Sequence, residues 1–379
     1  MTAPVGDAAG TAGREIVGQR LLRKLVAWIK KTGDIGIESS IFLAILPSFF
    51  RISMPYKHSD LRRHKFERAG YRVTNWRAYN DALRQRGSLT FWLTDEALEH
   101  WCAPRRTTPG GQPLSSDMAI EICLTLRSLF SLPLRQAEGF MRSIRALLKL
   151  DIPIPHYTTY SRRGNGLPIP ARFKRRGSEP VVLVADSTGL KIFGEGEWLQ
   201  KKHKTGGKRR TWRKLHICID LTDNEIVAME LTTEAVGDTT ALPDLLNQIN
   251  GDIERFLADG AYDGGPTYQL MADRPQGSII QTVIPPPKNA ILSAQAETHQ
   301  TERDRHIQDI ESKGRMAWQK DTGYNLRSRV EAQIGRWKNV IGNKLRSRTL
   351  LNQITEAKIG QKILNRMNGL GRPMFERIV

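Results

Sequence analysis

Residues 181–186 read Val-Val-Leu-Val-Ala-Asp, a continuous apolar run closed by a carboxylate. Apolar residues without polar alternation over this length predict a strand buried on both faces. Working outward, residues 215–219 and 226–231 predict two more strands, joined by a Thr-Asp-Asn turn at 222–224. Residues 239–249 predict a helix with Leu242, Leu245, Leu246 and Ile249 on one face. Phe256-Leu-Ala258 predicts a fourth strand, Pro266–Met271 the core of a second helix and Ile279–Ile284 a fifth strand. A long helix is expected beyond residue 322.

Three meandering strands followed by alternating helices and strands is the ribonuclease-H-like order. The expected fold class is therefore α/β, a mixed five-stranded sheet with flanking helices. Asp186 directly follows the apolar run of the first strand, and Asp259 follows that of the fourth. Those strands are neighbours in such a sheet, so two carboxylates would stand side by side at one edge. Like charges so placed repel unless cations separate them, which is what a two-metal site requires. Hard oxygen ligands of this kind suit Mg²⁺ or Mn²⁺. An aspartate at a strand's end also serves as an ordinary turn or cap residue, and Asp263 competes for the second position. Asp259 is preferred because it stands at the strand end, whereas Asp263 precedes Gly264-Gly265 and suits the turn.

Upstream, residues 74–163 read as helical. Ser116 and Asp117 can cap a helix through Leu126, and Ser131 with Pro133 restarts the chain as a helix to residue 150. Residues 157–163 offer a third, short helix carrying Arg162 and Arg163. Three short helices with tight turns fit a helix-turn-helix-like DNA-binding region; a plain helical bundle is the alternative. Residues 161–176 contain Arg162, Arg163, Arg172, Lys174, Arg175 and Arg176 and no acidic residue, as in a linker that lies along a phosphate backbone. The expected organisation is an N-terminal extension over 1–56, the helical region over 57–163 and the basic linker over 164–180. A catalytic domain over 181–345 and a helical tail over 346–379 follow. Within the extension, residues 14–31 could form a basic amphipathic helix, and Met54 offers an alternative start.

Lys plus Arg outnumber Asp plus Glu by 58 to 39, a net charge of +19. That balance favours a polyanionic partner such as double-stranded DNA, although a ribosomal or membrane-surface protein would share it. The longest apolar candidate, Ile41–Phe50, falls short of the roughly 20 residues a spanning helix needs and contains Pro47. No membrane partner is expected. Cys102, Cys123 and Cys218 form no CxxC pair and are odd in number, as in a cytoplasmic protein that keeps them reduced. The segment from Lys191 to Lys214 holds nine Lys or Arg against two Glu, with Trp198 and Trp212 among them. Aromatics among bases suit distorted DNA ends, which makes Trp198, Trp212, Arg213 and Lys214 candidate contacts; packing in a hairpin is the alternative for the tryptophans. His203 and His216 show no metal-ligand spacing.

The stretch Tyr324-Asn-Leu-Arg327-Ser-Arg-Val-Glu331-Ala-Gln-Ile-Gly-Arg-Trp-Lys338 sets Tyr324, Arg327, Glu331 and Lys338 at offsets 0, 3, 7 and 14. At about 100° per residue these project within roughly 60° of one another, one stripe of a helix. Arg327, one turn before Glu331, could equally form a simple surface ion pair. The spacing Tyr-x2-Arg-x3-Glu-x6-Lys resembles the YREK signature of insertion-sequence DDE transposases. Ala185–Lys191, Phe193–Trp198, Trp212–His216 and Ala258–Asp263 look like that family's "insertion sequence five" group. Thr74–Tyr79 and Gly87–Trp92 are similar to the group's N-terminal region, so the resemblance runs from about residue 57 to the C terminus.

The resemblance implies a DNA transposase of a bacterial insertion sequence, nucleoid-associated, that binds terminal inverted repeats, cleaves the element ends and joins them to target DNA without ATP. It implies a homodimer in the synaptic complex. It assigns Asp186, Asp259 and Glu331 as catalytic residues and ligands of two Mg²⁺ or Mn²⁺ ions, and Tyr324, Arg327 and Lys338 as DNA contacts. The offset of 72 from Asp259 to Glu331 is too short for the extra strand-rich domain that some relatives insert there. A ribonuclease-H-like nuclease that cuts without joining would keep the same triad. A domesticated DNA-binding repressor would need only the helical and basic regions.

Overall fold

The apolar run at 181–185 does form a buried strand, and the helices that precede it form where capping residues permit. A computed structural model describes residues 70–169, 179–192, 212–294 and 296–378. The extension over 1–56, most of the basic linker and Trp198 lie outside the described residues.

Strand β1 (Gly70–Val73) leads into helices α1 (Trp76–Gln85), α2 (Leu89–Trp92) and α3 (Asp95–Glu99). Helix α4 (Asp117–Leu129) starts where the Ser116 side chain accepts a hydrogen bond from the Ala119 N–H, satisfying one orphan donor of the first turn. Helix α5 (Leu134–Leu147) follows Pro133, and α6 (Tyr157–Arg163) follows in turn. All three expected helices exist, although α5 stops short of residue 150, before Lys149 enters a left-handed φ of 52°. Trp92, Trp101, Ile120, Met141 and Tyr160 centre one apolar cluster. Trp101 is fully buried and donates its indole N–H to the Pro153 carbonyl at 2.7 Å.

The sheet follows: β2 (Val181–Ile192), β3 (Trp212–Asp220), β4 (Ile226–Thr233), α7 (Asp238–Leu246), β5 (Ile253–Leu257), α8 (Gly265–Ala272) and β6 (Gln281–Val283). Then come α9 (Glu302–Lys313), α10 (Arg315–Asp321), α11 (Ser328–Val340), β7 (Lys344–Leu345), α12 (Leu350–Leu370) and β8 (Phe375–Ile378), the last pairing with β1. The strand order is β4-β3-β2-β5-β6. β2 runs antiparallel to β3 and parallel to β5, and β5 parallel to β6. This is a ribonuclease-H-like α/β fold with a mixed sheet.

Four details differ from expectation, the first being that the tail expected to be helical over 346–379 ends in strand β8, paired with β1. A sixth strand, β7, pairs with the end of β2 through Lys191↔Lys344 and Ile192↔Leu345, so the sheet is six-stranded rather than five-stranded. Helices α9 and α10 occupy a stretch for which no element was expected. The helix expected beyond 322 divides, because Gly323 at φ +68° turns the chain and Tyr324–Arg327 winds as a 3-10 turn before α11. On one sheet face, Val184 and Leu257 pack beneath Val330, Ile334 and Trp337 of α11 and beneath Ala357 and Leu364 of α12. On the other, Leu183, Ala185 and Phe256 pack against Leu242 and Leu245 of α7 and Met271 of α8. Helix α12 also supplies Ile359, Ile363 and Met367 to the first cluster. Among the described residues no helix is long and apolar enough to cross a membrane.

Candidate active site

Register brings the two aspartates together. The parallel pairing of β2 with β5 ends at Val184↔Leu257, and Asp186 and Asp259 each stand two residues further on. Side chains alternate across a strand, so both carboxylates follow the Val184 and Leu257 side of the sheet, the side that α11 covers. This is the C-terminal end of neighbouring parallel strands where the order switches from β3 to β5, the place at which α/β sheets bind ligands. Asp186 is not at its strand's end, as the sequence implied, but mid-strand opposite Ile217 of β3. β5 simply stops first and leaves that side of β2 open.

Glu331 lies in the first turn of α11 beside Val330, which is fully buried against the sheet. Arg327, at the α11 N-cap, links the two chain regions. Its Nη1 donates to Asp186 Oδ2 at 3.3 Å, and its Nη2 hydrogen bonds to Glu331. It is therefore more than the surface ion pair its spacing allowed. The Ser187 N–H donates to Asp186 Oδ1 at 2.7 Å, and Asp259 accepts from the Ala261 N–H at 3.0 Å. Burial pushes the Asp186 carboxyl up to about 6, aided by the negative charges of Asp259 and Glu331 and opposed by the Ser187 N–H and Arg327. Tyr324 is pushed up to about 12, mainly by burial and also by the three nearby carboxylates, so it remains a donor at neutral pH. Its ring meets Trp318 at 5.4 Å and lies 5.8 Å from the Arg327 guanidinium carbon.

Among the described residues no three Asp, Glu, His or Cys side chains converge closely enough to share one metal ion. The donor chemistry nevertheless fits a hard divalent cation: acceptor-only oxygens, mutually repelling, already drawn around one positive group in Arg327.

Asp263, the competitor for the second position, is engaged elsewhere. Its side chain is 5% exposed and takes Arg303 at 2.9 and 3.0 Å. The candidate DNA contacts divide similarly. Lys338 and Arg162 are exposed. Arg163 donates to the Ser115 carbonyl and to Asp117, fastening α6 to the start of α4. Arg213 donates to Gln353 at 2.8 Å, and Lys214 pairs with Asp238 at 2.8 Å. Trp212 packs over Gly189, where a Cβ would come within 3.1 Å of the ring, and receives Lys191 on its face at 5.5 Å.

His216, weighed from the sequence only as a metal ligand, belongs to a polar group across the sheet from the two aspartates. His216 sits opposite Ser187 on β3, fully buried, with Nε2 2.9 Å from Thr232 Oγ1. Its Nδ1 lies 3.1 Å from Asp238 Oδ1, off the direction of a well-formed hydrogen bond. Burial alone would raise the Asp238 pKa, but His216, Lys214 and Ser187 together hold it well below the usual carboxylate range. The available signal was period two on β3: Lys214 and His216 share a face that meets the start of α7.

Two family models, each described as a transposase DDE domain, match residues 84–195 and 177–364. Among solved structures, a piggyBac transposase synaptic complex with hairpin DNA is similar at 10% identity, covering 80% of this chain and 78% of that one, with a TM-score of 0.33. The Mos1 strand transfer complex is similar at 12% identity, covering 70% and 82%, with a TM-score of 0.19. At those TM-scores the fold rests on the strand order given above, not on the likeness.

Proposed function

The chain belongs to the DDE transposase family, and on that premise we propose that it is the transposase of a bacterial insertion sequence in the YREK-bearing "insertion sequence five" group. The observation that carries this reading is the shared two-residue step of Asp186 and Asp259 beyond the Val184↔Leu257 pair, with Glu331 tied to Asp186 through Arg327.

Asp186, Asp259 and Glu331 would hold two Mg²⁺ or Mn²⁺ ions. Such ions, when bound, lower the pKa of an attacking water and stabilise the oxygen that departs from phosphorus. The chain's own residues do the rest. Ser187 fixes the orientation of the Asp186 carboxylate through its N–H. The planar fork of Arg327, which here takes two carboxylates, is equally suited to a phosphate. Tyr324 donates to a phosphate oxygen, and exposed Lys338 adds a further contact. Water attack at the element end frees a 3′-OH, and that hydroxyl then attacks a phosphodiester of target DNA. Helices α4–α6, with exposed Arg162, would lie on the duplex of the terminal inverted repeat in helix-turn-helix fashion. Two ends must be joined, which calls for a synaptic homodimer acting at the nucleoid in the cytoplasm.

The test incubates the purified protein with labelled duplexes carrying the element's ends, a target plasmid and Mg²⁺ or Mn²⁺, beside Glu331→Gln. Metal-dependent end cleavage with joined products, lost in the variant, is the expected result. Binding without cleavage in either metal would instead identify a repressor, and cleavage without joining a nuclease.

A further inference from the structure

A cavity of about 410 Å³ opens between α4, α6 and the start of α12, apart from the acidic triad. Its size is in the range of small-ligand sites. Arg127 on α4 lines it, is only 8% exposed, and has an Nε with no acceptor. An unmatched buried donor calls for an explanation. Arg346 and Arg348 line the same cavity; Arg127 feels the favourable charge of Glu356 and, less strongly, the opposing charge of Arg346. The one acidic lining residue, Glu356, is already engaged by the backbone N–H groups of Arg346 at 2.9 Å and Ser347 at 2.8 Å.

The wall also includes the N-terminus of α12, a 21-residue helix capped by Thr349 with no acidic residue in its first turn. The Asn352 N–H is already taken by the Thr349 hydroxyl at 3.4 Å, so an anion there is favoured by the positive end of the helix dipole. Gln353 is fully buried and holds this wall in place. Its Nε2 donates to the Ser347 and Arg348 carbonyls at 3.0 and 3.2 Å, while its Oε1 accepts from Arg213 of β3. Three arginines and a helix N-terminus thus surround a prepared space with one committed carboxylate.

We propose that this cavity binds a phosphate group, held by Arg127, Arg348 and the first turn of α12. A phosphate of the DNA backbone and a free phosphate compound share this chemistry; the first source rests on the transposase reading, the second does not. The test uses the full chain, with Arg127→Gln and Arg348→Ala, their folding checked by circular dichroism. Arg348 is exposed, so its variant keeps the experiment decisive if Arg127→Gln does not fold.

One arm measures affinity for a duplex of arbitrary sequence across a salt series; the other measures thermal stabilisation by inorganic phosphate. If the phosphate is that of DNA, each folded variant weakens duplex binding about tenfold and lowers the salt slope by about 1. If the wild-type protein ignores duplex but is stabilised by inorganic phosphate, and Arg348→Ala abolishes that response, the cavity takes a free phosphate and the transposase reading falls instead. Folded variants that keep the wild-type salt slope and the wild-type response to phosphate overturn the proposal, as does a wild-type protein that responds to neither.

Discussion

Asp259 and Asp263 are four positions apart in one turn, and their surroundings separate them. Asp263 is clamped by Arg303, while Asp259 accepts one N–H and stays partly open. Asp263→Asn leaves Arg303 without its countercharge and should lower stability by roughly 2–4 kcal/mol in a denaturant melt. Asp259→Asn should lower stability by about 1 kcal/mol at most and abolish DNA cleavage. An intact nuclease in Asp259→Asn would move the second catalytic carboxylate to Asp263. Asp304 is a purely structural acid: fully buried, it accepts from the backbone and hydroxyl of both Ser293 and Thr301. Burial would raise its pKa, but those donors hold it at about 2. Its folded pKa lies below the unfolded value, about 3.9, so its contribution is complete above that pH and fades as pH falls toward 2. Asp304→Asn should be less stable at neutral pH by roughly 2–4 kcal/mol, and the gap from wild type should narrow between pH 4 and 2. A constant gap would show that Asp304 is not ionised in the folded protein.

Helix α11 meets α12 at Gly360, where an added Cβ would stand 2.8 Å from the Trp337 ring and 3.3 Å from Ile341. Alanine in a helix is worth about 1 kcal/mol over glycine, but overpacking a core costs about 1–3 kcal/mol, and Trp337 is 1% exposed with little room to yield. Gly360→Ala should therefore lower the melting temperature, whereas Gly139→Ala in α5, with nothing within 4 Å, should raise it. Equal behaviour of the two would mean the helices separate without penalty. The contrast indicates what was legible in the sequence. Strands β2 and β4 and the site aspartates announce themselves because apolar runs end in turns or carboxylates. Strand β7, two residues long, is too short to have a period. Helix α9 hides because its buried residues are Asp304 and His306, and Ile307 and Ile310 alone are too few to mark an apolar stripe. The partners of Lys214, Arg163 and Arg213 are 24, 46 and 140 positions away, so local sequence presents those residues as free positive charge.

At the scale of the molecule, α12 is the shared member. Its Ile359, Ile363 and Met367 belong to the cluster of α4–α6, while Ala357 and Leu364 belong to the cluster over the sheet. The opposite faces of one helix thus complete two cores, and the described residues between 71 and 378 belong to one compact unit. For a transposase the consequence is that helices proposed to lie on DNA and carboxylates proposed to cut it hold fixed relative positions through one continuous backbone. Cooperative unfolding follows physically, because removing α12 from either cluster exposes the core of the other. Ile363 is 1% exposed, so Ile363→Ala should cost roughly 2–5 kcal/mol. That loss should appear equally in hydrogen exchange of the slowest amides of α4 and of β2–β3, since both are released by the same global opening. If the substitution lowers protection in α4 alone and leaves β2–β3 unchanged, the helical cluster opens by itself, and coupling between DNA binding and the triad must come from the DNA.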